Sequence, residues 1–513
     1  MIENLLIGFN ISLTFHNIIM CFIGCTLGQI IGVLPGLGPT ATIAMLLTLT
    51  YKLNVTSAII MLSGIYYGAQ YGGTVTSVLF KIPGEASTVV TIFDGYQMAL
   101  QGRAGKALGI AAFGSFIAGT AGTIALSILA PPLSGFALMF GPPEYTALMI
   151  LGLTLVIYLG SGSIMKAILM GALGLALGTV GMDPLTAIER FTFGSQSLVE
   201  GFNMAVLAMG LFGIGEILYM AESTEARAMR DVVKCPSRLR ELLPDRKDWK
   251  ISMMPIARGS VLGFFLGILP GGGAMISSFA AYALEKRISR HPERFGKGAI
   301  EGVAGSESAN NSAVNGAFIP LLTLGIPSNV VMALLMGAFI LHGITPGPFI
   351  MEKHPNLFWG LVTSMYIGNV ILLILNIPLI KFFVKIMEVP YAVLSPLIIM
   401  ICVIGAYSLN YNPMDVIFMF IFGLVGYLMK KFDYEPAPLM LAFVVGEIFE
   451  KSIRQSLVLS HGNPLIFFTR PISLILMVVA LFVIVSPLIT ILFKRGRLIS
   501  EYKQIVKEES KEI

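Results

Sequence analysis

The sequence predicts an all-α polytopic membrane protein with about eleven crossings plus two re-entrant helical hairpins, in two inverted-topology repeats with broken helices. Three observations predict it. Of 513 residues, 55% are hydrophobic and 12% charged, and the mean hydropathy is +0.82; a soluble chain carries about a quarter of its residues as charges. The Lys and Arg residues gather in short stretches, separated by apolar runs of about 20 residues, the length that spans a bilayer. A Pro-Gly motif also recurs: Gly32-Val-Leu-Pro35-Gly36-Leu-Gly38 matches Gly267-Ile-Leu-Pro270-Gly271-Gly-Gly273 at an offset of 235 residues (267 − 32), which marks an internal repeat. This composition excludes a soluble enzyme and a nucleic-acid binder. The net charge of +5 reads as a topology signal, because Lys and Arg collect on the cytoplasmic side.

The first element is a hairpin that turns at Pro35-Gly36. Proline removes a helical hydrogen bond and glycine loosens the turn. It returns to the loop Tyr51–Ser57, where Lys52 is the first basic residue of the chain. With no basic region before it, no ordinary cleaved signal peptide is expected. Cys21 and Cys25 lie one helical turn apart and read as small residues at a helix interface. The four cysteines and five scattered histidines give no disulfide framework and no metal spacing. Five crossings follow, near 57–83, 107–130, 144–160, 163–181 and 203–221, the first broken at Ile82-Pro83-Gly84.

The segment Glu222–Lys250 carries eight Lys/Arg, Glu285–Glu301 carries five, and the tail from Lys494 six. All three are expected in the cytoplasm. Both ends of Ile251–Leu284 then lie on one side, so this stretch enters, turns at Leu269-Pro270-Gly271-Gly272-Gly273 and returns. An odd number of crossings separates the hairpins, so they enter from opposite faces. Six crossings complete the chain, near 309–341, 357–380, 389–408, 414–429, 436–449 and 471–493, the first broken at Ile326-Pro327-Ser328. The N-terminus lies outside, and Lys381, Lys385, Lys430 and Lys431 fall on the cytoplasmic side. The division is 1–221, first repeat; 222–252, basic linker; 253–450, second repeat; and 451–513, extracytoplasmic loop, last helix and basic tail. The plainer alternative makes the Pro-Gly motifs ordinary interhelical loops.

A helix that stops in mid-membrane leaves backbone groups unpaired, and these must line a cavity or bind something. Its N-terminal end attracts anions through free amides and the helix dipole. Gly36, Gly38, Pro39 and Thr40 open one half-helix; Gly272, Gly273 and Ser277 open the other. With Asn310 and Asn311 they form the candidate substrate site, in which an anion between opposed helix starts needs no arginine. Gly73, Thr74, Ser77, Asn311 and Ser312 offer the oxygen ligands that a hard cation prefers. They form the candidate site for a coupling ion, Na+ or H+; no other cofactor is expected. Pro35, Pro83, Gly84, Pro270 and Pro327 are candidate hinges or helix breaks. The plainer alternative for the Asn, Ser and Thr residues is hydrogen bonding between helices. Glu144, Glu216, Asp415, Glu447 and Glu450 lie near span ends, as solvated carboxylates or proton relays. Asp94 reads as a cap or turn in a cytoplasmic stretch, and Lys166 as a snorkelling side chain.

These motifs together resemble the large membrane subunit of the tripartite tricarboxylate transporter family. The resemblance rests on Gly32-Val-Leu-Pro35-Gly36-Leu-Gly38-Pro39, Tyr66-Tyr67-Gly68 with Tyr71-Gly72-Gly73, and Ile82-Pro83-Gly84-Glu85 followed by Asp94-Gly95. It continues through Pro270-Gly271-Gly272-Gly273, Tyr282 with Glu285-Lys286, Phe295-Gly296-Lys297-Gly298, Ala309-Asn310-Asn311 and Leu324-Gly325-Ile326-Pro327. Arg454-Gln455-Ser456 and Arg470-Pro471 extend it almost to the end. The chain departs from the family pattern at Gly305-Ser306-Glu307-Ser308, where Ala-Pro-Glu-Ala is usual, at Ser312 and at Asn463.

The resemblance implies a three-part system in the bacterial inner membrane: this chain, a small four-helix membrane subunit and a periplasmic solute-binding protein. It implies cation-coupled uptake of a carboxylate such as citrate, and an elevator-like movement of the hairpin region by analogy with other two-hairpin folds. A transporter of another organic anion acting alone is the alternative, told apart by whether genes for the two partners lie nearby. An intramembrane enzyme would need an intramembrane Asp pair, a Ser/His arrangement or clustered His ligands, none of which the sequence offers. A passive pore has no need of two broken-helix hairpins.

Overall fold

The computed structural model describes residues 2–34, 38–159, 163–222, 239–271, 273–386, 389 and 391–485. Pro35, Gly36 and Gly272, most of the basic linker and the tail from Lys494 lie outside the described residues.

Of the described residues, 81% are helical. Among the described residues, seven helices are long and apolar enough to cross a membrane: Phe15–Val33, Ala104–Ala137, Met204–Glu222, Arg246–Ile268, Pro355–Asn376, Ala392–Asn410 and Pro413–Lys431. Pro39–Thr50, Pro142–Tyr158, Ile164–Gly178, Val330–Leu341 and Pro471–Val485 are shorter apolar helices. Two further long helices, Val55–Phe80 and Ile300–Leu324, carry most of the polar residues of the candidate sites. The first is buried all round from Ser57 to Leu79, the second from Ile300 to Thr323. A helix wrapped on every side presents no apolar stripe to lipid; these two form the centre of the molecule.

Each central helix packs against the first arm of a hairpin by the same construction. Gly24, Gly28 and Gly32 face the carbonyl oxygens of Met61, Ile65 and Ala69, and a Cβ at these glycines would lie 2.2, 2.4 and 2.2 Å from them. Gly259, Gly263 and Gly267 face the carbonyls of Gly305, Ala309 and Ala313, at 2.4, 2.1 and 2.2 Å. Glycine every fourth residue lets two backbones approach closely. The second set lies 235 residues after the first (259 − 24), the offset of the Pro-Gly motifs, and its partners follow by 244 (305 − 61).

Local chemistry fixes the breaks. Val55–Phe80 begins at an Asn54 cap that accepts from Thr56 N–H and ends at Lys81, in the left-handed region. Ile300–Leu324 ends at Gly325, also left-handed at φ 71°, and Asn329 caps the next helix by accepting from Met332 N–H. In the second hairpin, Arg258 on the entering arm donates two hydrogen bonds to Glu285 on the returning arm, at 2.7 and 2.6 Å. At its tip, Gly271 has φ 108° and donates its N–H to the carbonyl of Ser328, joining the turn to the second break.

The structure differs from the expected elements in four places. A bend at Leu13-Thr14 detaches Ile2–Ser12 from the first hairpin, and this helix packs through Gly8 on Pro355–Asn376. The crossing expected from 309 begins at Ile300. Pro436–Leu459 is continuous past 450, where the sequence ends a repeat. Residues 181–190, expected as loop, form two paired strands of two residues each.

Candidate functional site

The two halves meet where Val55–Phe80 passes Ile300–Leu324. Glu307, two turns into the latter helix, is completely buried. Its Oε2 accepts from the Thr74 hydroxyl at 2.7 Å and from Asn310 Nδ2 at 3.3 Å; its Oε1 accepts from the Thr91 hydroxyl. Two of these three donors belong to the first half of the chain. Thr74 lies in the first central helix, and Thr91 lies in the short helices after the Ile82-Pro83-Gly84 break.

Asn311 donates to Ser115 Oγ at 2.8 Å, to the Glu307 carbonyl at 3.1 Å and to Asn310 Oδ1 at 2.5 Å. Asn315 continues the row, donating to the carbonyls of Asn311 and Gly119 and accepting from Thr123 at 3.0 Å. Ser115 and Thr123 belong to Ala104–Ala137, so a third helix supplies the partners of the asparagines. In an apolar interior each unpaired amide would cost a few kcal/mol, and this network meets most of that demand. Among the described residues, Ser308 Oγ, beside Glu307, is buried without a hydrogen-bond partner.

The other sequence-nominated residues divide. Ser312 donates to the Ser260 carbonyl at 2.7 Å and ties the second central helix to its hairpin. Ser77 donates to Thr88 Oγ1 at 2.9 Å, across the break at Pro83 and Gly84. A Cβ at Gly84 would lie 2.0 Å from the Gly32 carbonyl, so this break sits against the last turn of the first hairpin's entering arm. Gly73 faces Glu85, and a Cβ at Gly38 would lie 3.8 Å from Glu85 Oε1. Glu85 thus stands between the start of the first half-helix and the first central helix. Pro39 is buried and Thr40 half-buried in the first turn of Pro39–Thr50; Gly273 and Ser277 are buried in the first turns of Gly273–Ile288. The Ser277 hydroxyl donates back to the Gly273 carbonyl. Pro270 contacts Pro142–Leu159 at Gly152, and Pro327 follows the Gly325 turn.

Asp94 does more than cap its own turn. Its Oδ1 accepts from the N–H groups of Gly296, Gly298 and Ala299, each at 2.8 Å, and its Oδ2 accepts from the Tyr282 hydroxyl at 2.9 Å. A first-half carboxylate thereby caps the second central helix. The span-end carboxylates are mostly engaged: Glu144 by Arg470 at 2.7 Å, Glu216 by Lys430, and Glu450 by Arg190 and Arg454 at 2.6 and 3.0 Å. Asp415 accepts from Asn410 at 3.1 Å. Lys166 reaches the Phe432 carbonyl at 2.6 Å with its ammonium over the Tyr434 ring, as a snorkelling side chain does. Cys21 and Cys25 do lie at a helix interface, each 3.7 Å from a carbonyl of Pro355–Asn376.

Sequence reasoning named neither Glu307 nor Thr91 as a site residue. The signal available was an acidic residue three positions before an Asn pair. The sequence does put Glu307 among the polar groups of the second broken helix, but only the asparagines and Ser312 of that helix are assigned to a site. Ser115 and Thr123 are isolated hydroxyls in an apolar helix, and a lone polar residue there carries no sequence signal.

Comparison with known proteins places this construction. The family model described as "Tripartite tricarboxylate transporter TctA family" matches residues 18–441. The chain is 50% identical over 502 residues to an uncharacterized 52.8 kDa protein in the TAR-I ttuC' 3' region of Agrobacterium vitis, covering 98% of this chain and 99% of that one. It is 52% identical over 211 residues to an uncharacterized protein in the TAR-II ttuC' 3' region of the same organism, covering 41% of this chain and 87% of that one. No solved structure matches. The chain therefore belongs to the TctA family of tripartite tricarboxylate transporters and is a membrane subunit of that kind.

Proposed function

We propose that this chain is the permease of a three-part uptake system in a bacterial inner membrane. It moves a tricarboxylate or dicarboxylate such as citrate inward, driven by a cation gradient. A periplasmic binding protein delivers the substrate, and a small membrane subunit completes the complex. The observation that carries this reading is the family match over residues 18–441.

The geometry supports it in two ways. Each half contains a broken central helix gripped by a hairpin arm through glycines at a constant offset, as expected if the halves are inverted repeats of a secondary transporter. The half-helices opening at Gly38-Pro39 and at Gly273 begin beside the central helices, where free amides suit a carboxylate. Gly36, Thr40, Gly272, Ser277, Asn310 and Asn311 complete that proposed substrate site, and Gly73, Thr74, Ser77, Asn311 and Ser312 supply oxygens for the ion. Pro35, Pro83, Pro270 and Pro327 mark the breaks about which the hairpins would move.

Reconstitution in proteoliposomes tests the three-part reading. Citrate uptake would be measured with this chain alone, with the small subunit, and with the binding protein added. Uptake that needs every component supports the reading; equal uptake by this chain alone favours a stand-alone transporter of organic anions.

A further inference from the structure

Glu307 is a carboxylate with no opposite charge beside it. Among the described residues its recorded partners are the neutral groups Thr74, Thr91 and Asn310. On the helices around it, Arg258 is paired with Glu285, and Lys106 with Asp245 and Asp248. An ionised group in such a place is costly unless a cation joins it, and an intramembrane carboxylate is by default a functional group. Its position adds a second argument. The ligand oxygens Thr74 Oγ1 and Thr91 Oγ1 come from the first half, one on each side of the Pro83-Gly84 break. Any movement at that break changes the number of groups holding the carboxylate.

We propose that Glu307 is the residue on which the driving monovalent cation binds, with Thr74 and Thr91 as its ligands or hydrogen-bond partners. The cation, a proton or a sodium ion, neutralises the carboxylate and permits the loaded carrier to change sides. Release of the cation inside restores the charge and resets the carrier. This rests on the cation-coupled reading above and names the group that does the coupling.

The test uses the complete three-part system in proteoliposomes, with radiolabelled citrate. One arm imposes a sodium gradient at equal pH; the other imposes a proton gradient without sodium. Wild type should accumulate citrate in one arm, which identifies the cation. Glu307→Gln, neutral at every pH, should lose accumulation at least about 10-fold. It should still exchange external for internal citrate with no gradient, because the neutral side chain mimics the loaded form. Accumulation by the Gln variant at the wild-type level overturns the proposal; so does loss of exchange in a folded protein, which would make Glu307 a structural or substrate residue. Citrate exchange by wild type without accumulation in either arm instead overturns the cation-coupled reading. If the Gln variant fails to reach the membrane, Thr91→Val serves. It should raise the cation concentration for half-maximal uptake several-fold at unchanged maximal rate, and an unaltered cation dependence would overturn the assignment.

Discussion

Asp94 accepts a hydrogen bond from the backbone N–H of Gly298 at 2.8 Å, and through it the first half of the chain holds the start of the second half's central helix. The same oxygen takes the N–H groups of Gly296 and Ala299, so one carboxylate satisfies three backbone donors of the turn that leads into the helix at Ile300.

Removing that oxygen should be expensive. An unsatisfied buried donor costs about 1–3 kcal/mol. Asp94→Ala should therefore lower stability by at least about 2 kcal/mol, and Asp94→Asn, which keeps an acceptor, by less. Thermal unfolding in detergent checks the order. Equal stability of all three proteins would show that the cap is dispensable.

The glycine seams give a paired expectation. A Cβ at Gly28 or Gly263 would lie 2.4 or 2.1 Å from a backbone oxygen, while Gly135 has open space around it. Gly28→Ala and Gly263→Ala should each cost about 1–3 kcal/mol, since overpacking forces the backbones apart. Gly135→Ala should be close to neutral. Melting temperatures of the three variants decide; a tolerant Gly263 beside an intolerant Gly28 would break the equivalence of the halves.

How much of this was legible in the sequence depends on what each residue does. The breaks at Pro83, Pro270 and Pro327 were readable because proline and glycine act on their own backbone. The likeness of the two glycine seams was readable in part, because the Pro-Gly motif that ends each one recurs at the same offset of 235 residues. The Asp94 cap was not, since its partners lie about 200 residues away and no local pattern announces them. Glu307 escaped for a similar reason: its donors Thr74 and Thr91 come from the other half, and the helix begins at Ile300 instead of 309. The sequence did place Asn310 and Asn311 at the centre, but it did not show that Ser115 would be waiting for them.

Asn311 ties Ile300–Leu324 to Ala104–Ala137 through Ser115 and belongs to the proposed substrate site. Asn311→Ala should abolish uptake while leaving membrane insertion intact. Transport assays on variant protein quantified in isolated membranes test this. Normal transport by a well-expressed variant would remove Asn311 from the site.

On the 181–190 loop, Arg454 holds the Asp183 carboxyl well below the usual carboxylate range, helped by the N–H groups of Leu185 and Thr186. A depressed folded-state pKa adds stability that is complete above the unfolded value of about 3.9. That stability shrinks as pH falls below this value and is gone once Asp183 is protonated in the folded protein. Acidification from about pH 6 to about pH 3 should therefore lower the Tm of wild type more than that of Asp183→Asn. Parallel Tm curves would show that the clasp with Arg454 contributes nothing.

The most direct measurement is citrate accumulation in cells expressing this chain with its two partner subunits, with the sodium and proton gradients collapsed separately. Accumulation that collapses with one gradient and survives loss of the other is the result expected of a cation-coupled permease. Accumulation that survives the loss of both would contradict it.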